Sequence, residues 1–359
     1  MLHARRLGTR VIGALLLLGC FSLALAAAEY HIVKRIPIAG DTGWDYVTAD
    51  SASRRLYVPH GIEVVVLDLD SGAIVGRVIG LKGAHGVAVA PEFGRGFVDA
   101  TDPGSVTIFD LKTLAVLDKV RVGDDPNGII YDAKLKLIFT ADRGSKRLTA
   151  IDAKTGKVAG AIDLPTGRTE HLASDGAGDV FLNMQDIGKI HKLDVRSFKI
   201  AETWDLLPAC AQPSSMDIDV ARSRIFVGCR GGAPGTEQAS APSVLAVVDA
   251  TNGKIVATQP IGPGVDALEF DAAKNLIYVS TGGGDGTLST FHEDAPDKYT
   301  LVQNVRTLPG ARTMALDHKT STVYLPVADI GAPPAPTADN PRPRARPVPG
   351  SFSVLVVGQ

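Results

Sequence analysis

Short apolar or alternating runs recur along this chain at a fixed interval. Val64-Val65-Val66-Leu67, Val106-Thr107-Ile108-Phe109, Leu148-Thr149-Ala150-Ile151 and Ile190-His191-Lys192-Leu193 each end in an aspartate. Those aspartates, Asp68, Asp110, Asp152 and Asp194, stand 42 residues apart. A second landmark is an apolar or glycine residue followed by an aromatic: Leu56-Tyr57, Gly96-Phe97, Ile138-Phe139, Val180-Phe181, Ile225-Phe226, Ile277-Tyr278 and Val323-Tyr324. Six residues before most of these steps stands an acid: Asp50, Asp132, Asp219, Asp271 or Asp317. Ala90 and Ser174 hold that place in the other two copies, with Asp175 beside Ser174. Polar turns and Gly-bearing turns such as Lys154-Thr155-Gly156-Lys157 and Thr251-Asn252-Gly253-Lys254 separate the runs. Each unit therefore predicts four short strands, and helical periodicity is absent after the first 28 residues.

Four strands in each unit of about 40–50 residues predict the blade of a β-propeller. The seven copies predict a seven-bladed all-β ring, with blades starting near residues 44, 84, 126, 168, 213, 265 and 311. A β-sandwich does not explain the repetition, and a β-helix needs much shorter turns. The last copy stops at Ser353-Val354-Leu355-Val356-Val357-Gly358, a third strand. His31 to Ile38 is the expected fourth, closing the ring by completing the last blade and removing two exposed edges.

Tyr57-Val58-Pro59, Tyr278-Val279-Ser280 and Tyr324-Leu325-Pro326, together with the Thr-Gly-Lys turn, resemble the bacterial YVTN (YncE-like) β-propeller repeat family. The resemblance covers nearly all of residues 30–359. No copy spells Tyr-Val-Thr-Asn, so it lies in the pattern of the repeat. It implies the propeller fold and a periplasmic or secreted address, and it implies no single activity.

Residues 1–28 read as a signal peptide, leaving 29–359 as the propeller domain. Arg5, Arg6 and Arg10 form its positive start, Val11 to Leu18 its apolar stretch, and Ala24-Leu25-Ala26 or Ala26-Ala27-Ala28 its cleavage site. Leu17-Leu18-Gly19-Cys20 offers a rival, a lipoprotein box that would anchor the protein through Cys20. No other stretch is long and apolar enough to span a membrane. Removing the three leader arginines from 37 basic residues leaves 34 against 39 acids, a net of −5. That balance argues against a nucleic-acid partner. Without Cys20, Cys210 and Cys229 remain as a pair. They fall at one end of two neighbouring antiparallel strands, which predicts a disulfide in an oxidising compartment.

Counting back five residues from each landmark acid reaches the entry to each inner strand, at the mouth of the central channel. The positions are Asp45, His85, Asn127, Glu170 (counted from Asp175), Ser214, Asp266 and Arg312. All are polar and their identities differ, which a turn requirement alone does not explain. Asp45, His85, Asn127, Glu170, Asp266 and Arg312 are therefore the expected ligand-binding set, with His171 and Asp217 nearby. Asp45, Asn127, Glu170 and Asp266 are oxygen donors suited to a hard divalent cation such as Ca²⁺, and His85 and His171 would shift the preference toward Zn²⁺ or another transition metal. Arg312 suits a carboxylate or phosphate.

His60, Asp102, Arg143, Asp186 and Arg230 are expected in an outer ring. Two insertions, within residues 231–240 and 331–350, rise on the same face. The chain shows no Gly-x-Ser-x-Gly elbow and no His-Glu-x-x-His helix. Two function classes follow. One is an exported monomeric binding module for a polar small molecule or a cell-envelope protein. The other is a metal-assisted hydrolase or lactonase with His85 or His171 moving protons.

Overall fold

The aspartates that mark the repeat are turn residues. Asp68 accepts the backbone N–H of Ser71 at 2.8 Å, Asp110 that of Thr113 at 2.7 Å and Asp152 that of Thr155 at 2.7 Å. Each carboxylate thus closes the hairpin that leads to the outermost strand, the job an Asx turn does with a short polar side chain. The landmark acids do the same one hairpin earlier. Asp50, Asp132, Asp219, Asp271 and Asp317 each accept a backbone N–H two residues on. Four residues after each of these acids, Arg54, Lys136, Ser223, Asn275 and Ser321 adopt φ between 53° and 61°. The left-handed turn is therefore held by its aspartate and not supplied by glycine.

The computed structural model describes residues 29–359 apart from 41–42, 102–103, 166, 233–239 and 336–345. The expected signal peptide, Cys20 and Asp102 lie outside the described residues, as does much of both insertions. No helix among the described residues is long and apolar enough to cross a membrane.

The expectation of seven separate blades is corrected by the strand pairing. The described strands form six hydrogen-bonded sheets in a ring, five with four strands and one with six. Counted by sheet, the propeller has six blades. The physical reason lies between the first two copies of the repeat. Arg55–Asp68 and Ile74–Ala90 are long strands of 14 and 17 residues. Glu63 pairs with Ile79 and Gly61 with Ala84, so the loop edges of the two copies pair instead of separating. Gly80 and Gly83, at φ 82° and 68°, let the chain bend there without leaving the sheet. Two copies therefore run together as one six-stranded sheet.

At the join of the ring, His31–Pro37 pairs antiparallel with Ser353–Gly358, from His31 opposite Gly358 to Pro37 opposite Ser353. Thr322–Val327 and Ala315–Asp317 complete that sheet. The inner strand Ala315–Asp317 lies against Thr48–Asp50, which in turn lies against Ile74–Ala90, so the inner strands close a circle.

Between the sheets lies the core. The aromatics of the landmark steps, Tyr57, Phe97, Phe139, Phe181, Phe226 and Tyr278, are among the largest fully buried side chains, and Tyr324 is buried too. Polar contacts stitch neighbouring sheets at the channel end. Arg54 donates to Asp317 at 2.6 Å, and Ser321 donates to Asp271 at 2.9 Å. Ser174, where the acid is missing from the pattern, donates to Asp132 of the preceding sheet.

Cys210 and Cys229 form a disulfide with Cα atoms 5.3 Å apart, as their placement on adjoining segments predicts. The bridge closes a loop with a sequence separation of 19 and ends one residue before Arg230. Replacing both cysteines by serine is expected to lower the unfolding free energy by about 3 kcal/mol. Urea denaturation measures this, and an unchanged midpoint would contradict it.

Candidate functional site at the channel mouth

Six of the seven predicted mouth residues reach the channel, each on an inner strand or just before one. Asp45 precedes Thr48–Asp50, His85 lies within Ile74–Ala90 and Asn127 within Pro126–Asp132. Glu170 lies within Thr169–Ser174, Asp266 within Val265–Asp271, and Arg312 precedes Ala315–Asp317. All six line one cavity of about 640 Å³, together with Tyr46, Arg143, Arg168 and Arg230. Ser214 is not with them. It is fully buried, and its hydroxyl donates to the carbonyl of Val265 at 2.9 Å.

Of the expected outer ring, Arg143 and Arg230 reach the cavity. His60 is buried and stacks on Phe352 at a centroid distance of 4.5 Å. Asp186 accepts the backbone N–H of Arg168 at 2.6 Å, supporting the wall from outside. The remaining wall is backbone: Gly264, Gly282, Gly283 and Gly310. A Cβ on Gly282 would stand 2.8 Å from the Cβ of Arg312, so the glycine leaves room for that arginine.

The polar side chains are paired in a chain of alternating charge. Asp266 accepts from Arg312 Nε at 2.5 Å and from Arg230 Nη2. Arg312 Nη2 lies 3.6 Å from Asp45, and Asp45 lies 3.1 Å from His85 Nε2. Glu170 accepts from Asn127 at 2.6 Å and lies 3.3 Å from Arg168. Arg143 grips Asp125 through two bonds of 2.6 and 3.1 Å.

These neighbours set the protonation states. Burial alone would lower the pKa of His85, but Asp45, then Asp99 and Glu170, outweigh it and raise it to about 9. Burial alone would raise Asp45, but His85, Arg312 and Arg230 outweigh it and lower it. Burial and then repulsion from Asp266 raise Glu170. Four arginines and a protonated His85 thus face Asp45, Glu170 and Asp266 around one cavity, while Asp125 holds Arg143 from outside its lining.

The expected metal ligands are Asp45, Asn127, Glu170 and Asp266, and their partners are now visible. Asp45 and Asp266 are engaged by Arg312, with His85 and Arg230 beside them, and Asn127 spends its amide on Glu170. Among the described residues, no three His, Cys, Asp or Glu side chains come together in a group that could hold a metal ion.

Beneath the mouth, the ring of Tyr46 lies between His85, at 5.3 Å, and His171, at 5.2 Å. Tyr46 borders the mouth cavity and a second cavity of about 570 Å³ further along the channel. His171 lines that second cavity and not the mouth. Burial lowers its pKa to about 4, so its imidazole is neutral at pH 7. The same cavity is bordered by Asp217 and Glu269, which accept backbone N–H groups of the next inner strands, those of Phe270 at 2.7 Å and Leu316 at 3.1 Å. The two candidate histidines therefore differ. His85 is a charged group bonded to Asp45, and His171 is a neutral one set below Tyr46.

Tyr46 and Arg168 were not among the residues expected at the mouth. Each is adjacent to an expected position or two residues from it, Asp45 and Glu170 respectively. A large side chain at a strand entry beside a polar landmark is the signal that could have placed them.

Solved structures share the fold. Hydrazine synthase of Kuenenia stuttgartiensis superposes with a TM-score of 0.70 at 16% identity, over 80% of this chain and 94% of that one. The structure of U3-55K gives 0.72 at 7% identity, over 90% of this chain and 98% of that one. The RRP9 WD40 repeats give 0.72 at 8% identity, over 90% and 97%. At such identities the likeness shows the fold alone, a β-propeller. No protein-family model and no curated protein matches the chain.

Proposed function

We propose that this chain is an exported YVTN-type binding propeller whose mouth cavity holds a polar small molecule through an anionic group. The observation that carries this reading is the mouth itself. Four arginines and a charged histidine converge with three carboxylates on one cavity of about 640 Å³, a size suited to a small ligand. Among the lining residues five cationic groups face three acids, and guanidinium forks bind carboxylate, sulfate and phosphate oxygens through paired bonds. Ion pairing among the wall groups holds them in place before a ligand arrives, which lowers the ordering cost of binding. The disulfide and the leader-like first 28 residues support an exported address. The metal-assisted hydrolase gains no support, because its proposed ligands are held by arginine, histidine and each other.

Isothermal titration with sulfate and with succinate tests the reading. The wild type is expected to bind at least one of them saturably at one site. Arg230→Ala/Arg312→Ala is expected to bind about tenfold or more weakly, since each charged hydrogen bond is worth about 1.5–3 kcal/mol. Equal affinity in the two proteins would sink the proposal.

A further inference from the structure

An acid stands in the middle of an apolar strand at Phe97-Val98-Asp99-Ala100. Asp99 is fully buried, directly behind His85. Its Oδ1 accepts the backbone N–H of Gly86 at 2.5 Å. Its Oδ2 and the His85 Nδ1 are both buried without a hydrogen-bond partner, and they face each other across 4.0 Å. The other nitrogen of His85 is bonded to Asp45. His85 is thus a cation between two carboxylates, one opening on the cavity and one shut away from it. An orphaned carboxylate oxygen in such a place costs several kcal/mol unless it is neutralised, so burying Asp99 needs a reason.

We infer that Asp99 determines how strongly the mouth holds an anion. Protonated, it leaves the charge of His85 free to act on the ligand; ionised, it cancels that charge from behind. This rests on the reading of the mouth as an anion site. The groups that face the pair are Asp45 and Tyr46 from the entry to the first inner strand, Glu170 and His171 from Thr169–Ser174, Arg312 beside Asp45, and Asp142 on the far side of Asp99.

The direction follows from these neighbours. Burial raises the Asp99 pKa, His85 and the Gly86 N–H oppose it, and Asp45 and Asp142 add repulsion, leaving it at about 7. His85, at about 9, stays charged while Asp99 titrates. As pH falls from 8 to 6, Asp99 therefore takes up a proton and the mouth gains positive charge. Anion affinity should rise over that interval and fall again on return.

The test uses the full chain and sulfate, which keeps its charge throughout this range. Wild type should bind sulfate about tenfold more tightly at pH 6 than at pH 8, the order expected for one unit charge near the site. Asp99→Asn, which keeps the shape of the side chain and holds it neutral, should lose most of that pH dependence and match the wild type at pH 6. The small remainder comes from Glu170 and Asp142, whose carboxyls burial also raises. The second readout needs no ligand. The imidazole C–H resonance of His85, assigned with His85→Gln, should show an inflection near pH 7 in the wild type and lose it in Asp99→Asn. That wild-type titration alone decides the matter if Asp99→Asn does not fold, because an inflection absent near pH 7 overturns the inference. An unchanged pH profile in Asp99→Asn overturns it too, and leaves the anion site standing. Sulfate that binds neither protein at either pH overturns the anion site and this role of Asp99 together.

Discussion

Deleting residues 29–38 is expected to leave a chain that no longer unfolds as a single cooperative unit. Most of His31–Pro37 is exposed, so the strand looks dispensable by burial. Its contribution lies at three anchors and one edge. Tyr30, Ile36 and Ile38 are buried in the closing core, and the Tyr30 hydroxyl meets that of Tyr278 at 2.7 Å. Those three side chains together stabilise by roughly 4.5–9 kcal/mol, at about 1.5–3 kcal/mol each. The deletion also strips the hydrogen-bonded partner from Ser353–Gly358, a strand whose residues are all buried. The sum approaches the whole stability of an ordinary domain, about 5–15 kcal/mol. The milder change Ile38→Ala should cost about 2–5 kcal/mol and keep a cooperative transition. Circular dichroism through a urea gradient measures both, and a deleted chain with the wild-type midpoint would refute the closure account.

The second large effect is expected at Asp266, where the sign is opposite for stability and for binding. Its carboxylate pairs with both Arg230 and Arg312. Asp266→Asn leaves two guanidinium groups short of a counter-charge. Removing one member of a fully buried pair costs about 3–5 kcal/mol. Here the arginine side chains are 29% and 40% exposed, and water screens them, so a loss of about 1–2 kcal/mol is expected. The freed arginines should then bind sulfate about tenfold more tightly than in the wild type, because the ligand no longer competes with Asp266. Weaker sulfate binding in Asp266→Asn would mean that the carboxylate itself contacts the ligand or that the cavity has collapsed.

Much of this arrangement is legible in the chain because a repeat reports geometry several times over. The aspartates that close turns must fall at equal intervals, and they carry the strand positions with them. The mouth residues are found by counting from those acids, and Asp45, His85, Asn127, Glu170, Asp266 and Arg312 do border one cavity. Ser214 fails because its small hydroxyl is satisfied inward by the carbonyl of Val265. The number of sheets was not legible. It depends on whether two loops hydrogen-bond to each other, and the Gly61–Ala84 and Glu63–Ile79 pairing is a long-range event with no periodic signal. Ion pairing was hidden for the same reason. Arg168 and Arg230 look like surface residues until the fold brings them beside Glu170 and Asp266. Asp99 did leave a trace, a charge inside an apolar strand, and such a residue marks a burial that something must offset.

The central claim is that an anion sits among the arginines at the channel mouth. Crystals grown without sulfate or phosphate and soaked in selenate would test it directly, through the anomalous signal of selenium. The account predicts a selenate ion within hydrogen-bond distance of Arg230 and Arg312, on the cavity side of His85, and absent from Arg230→Ala/Arg312→Ala crystals soaked alike. Selenate found only elsewhere, with the mouth holding none, would contradict it.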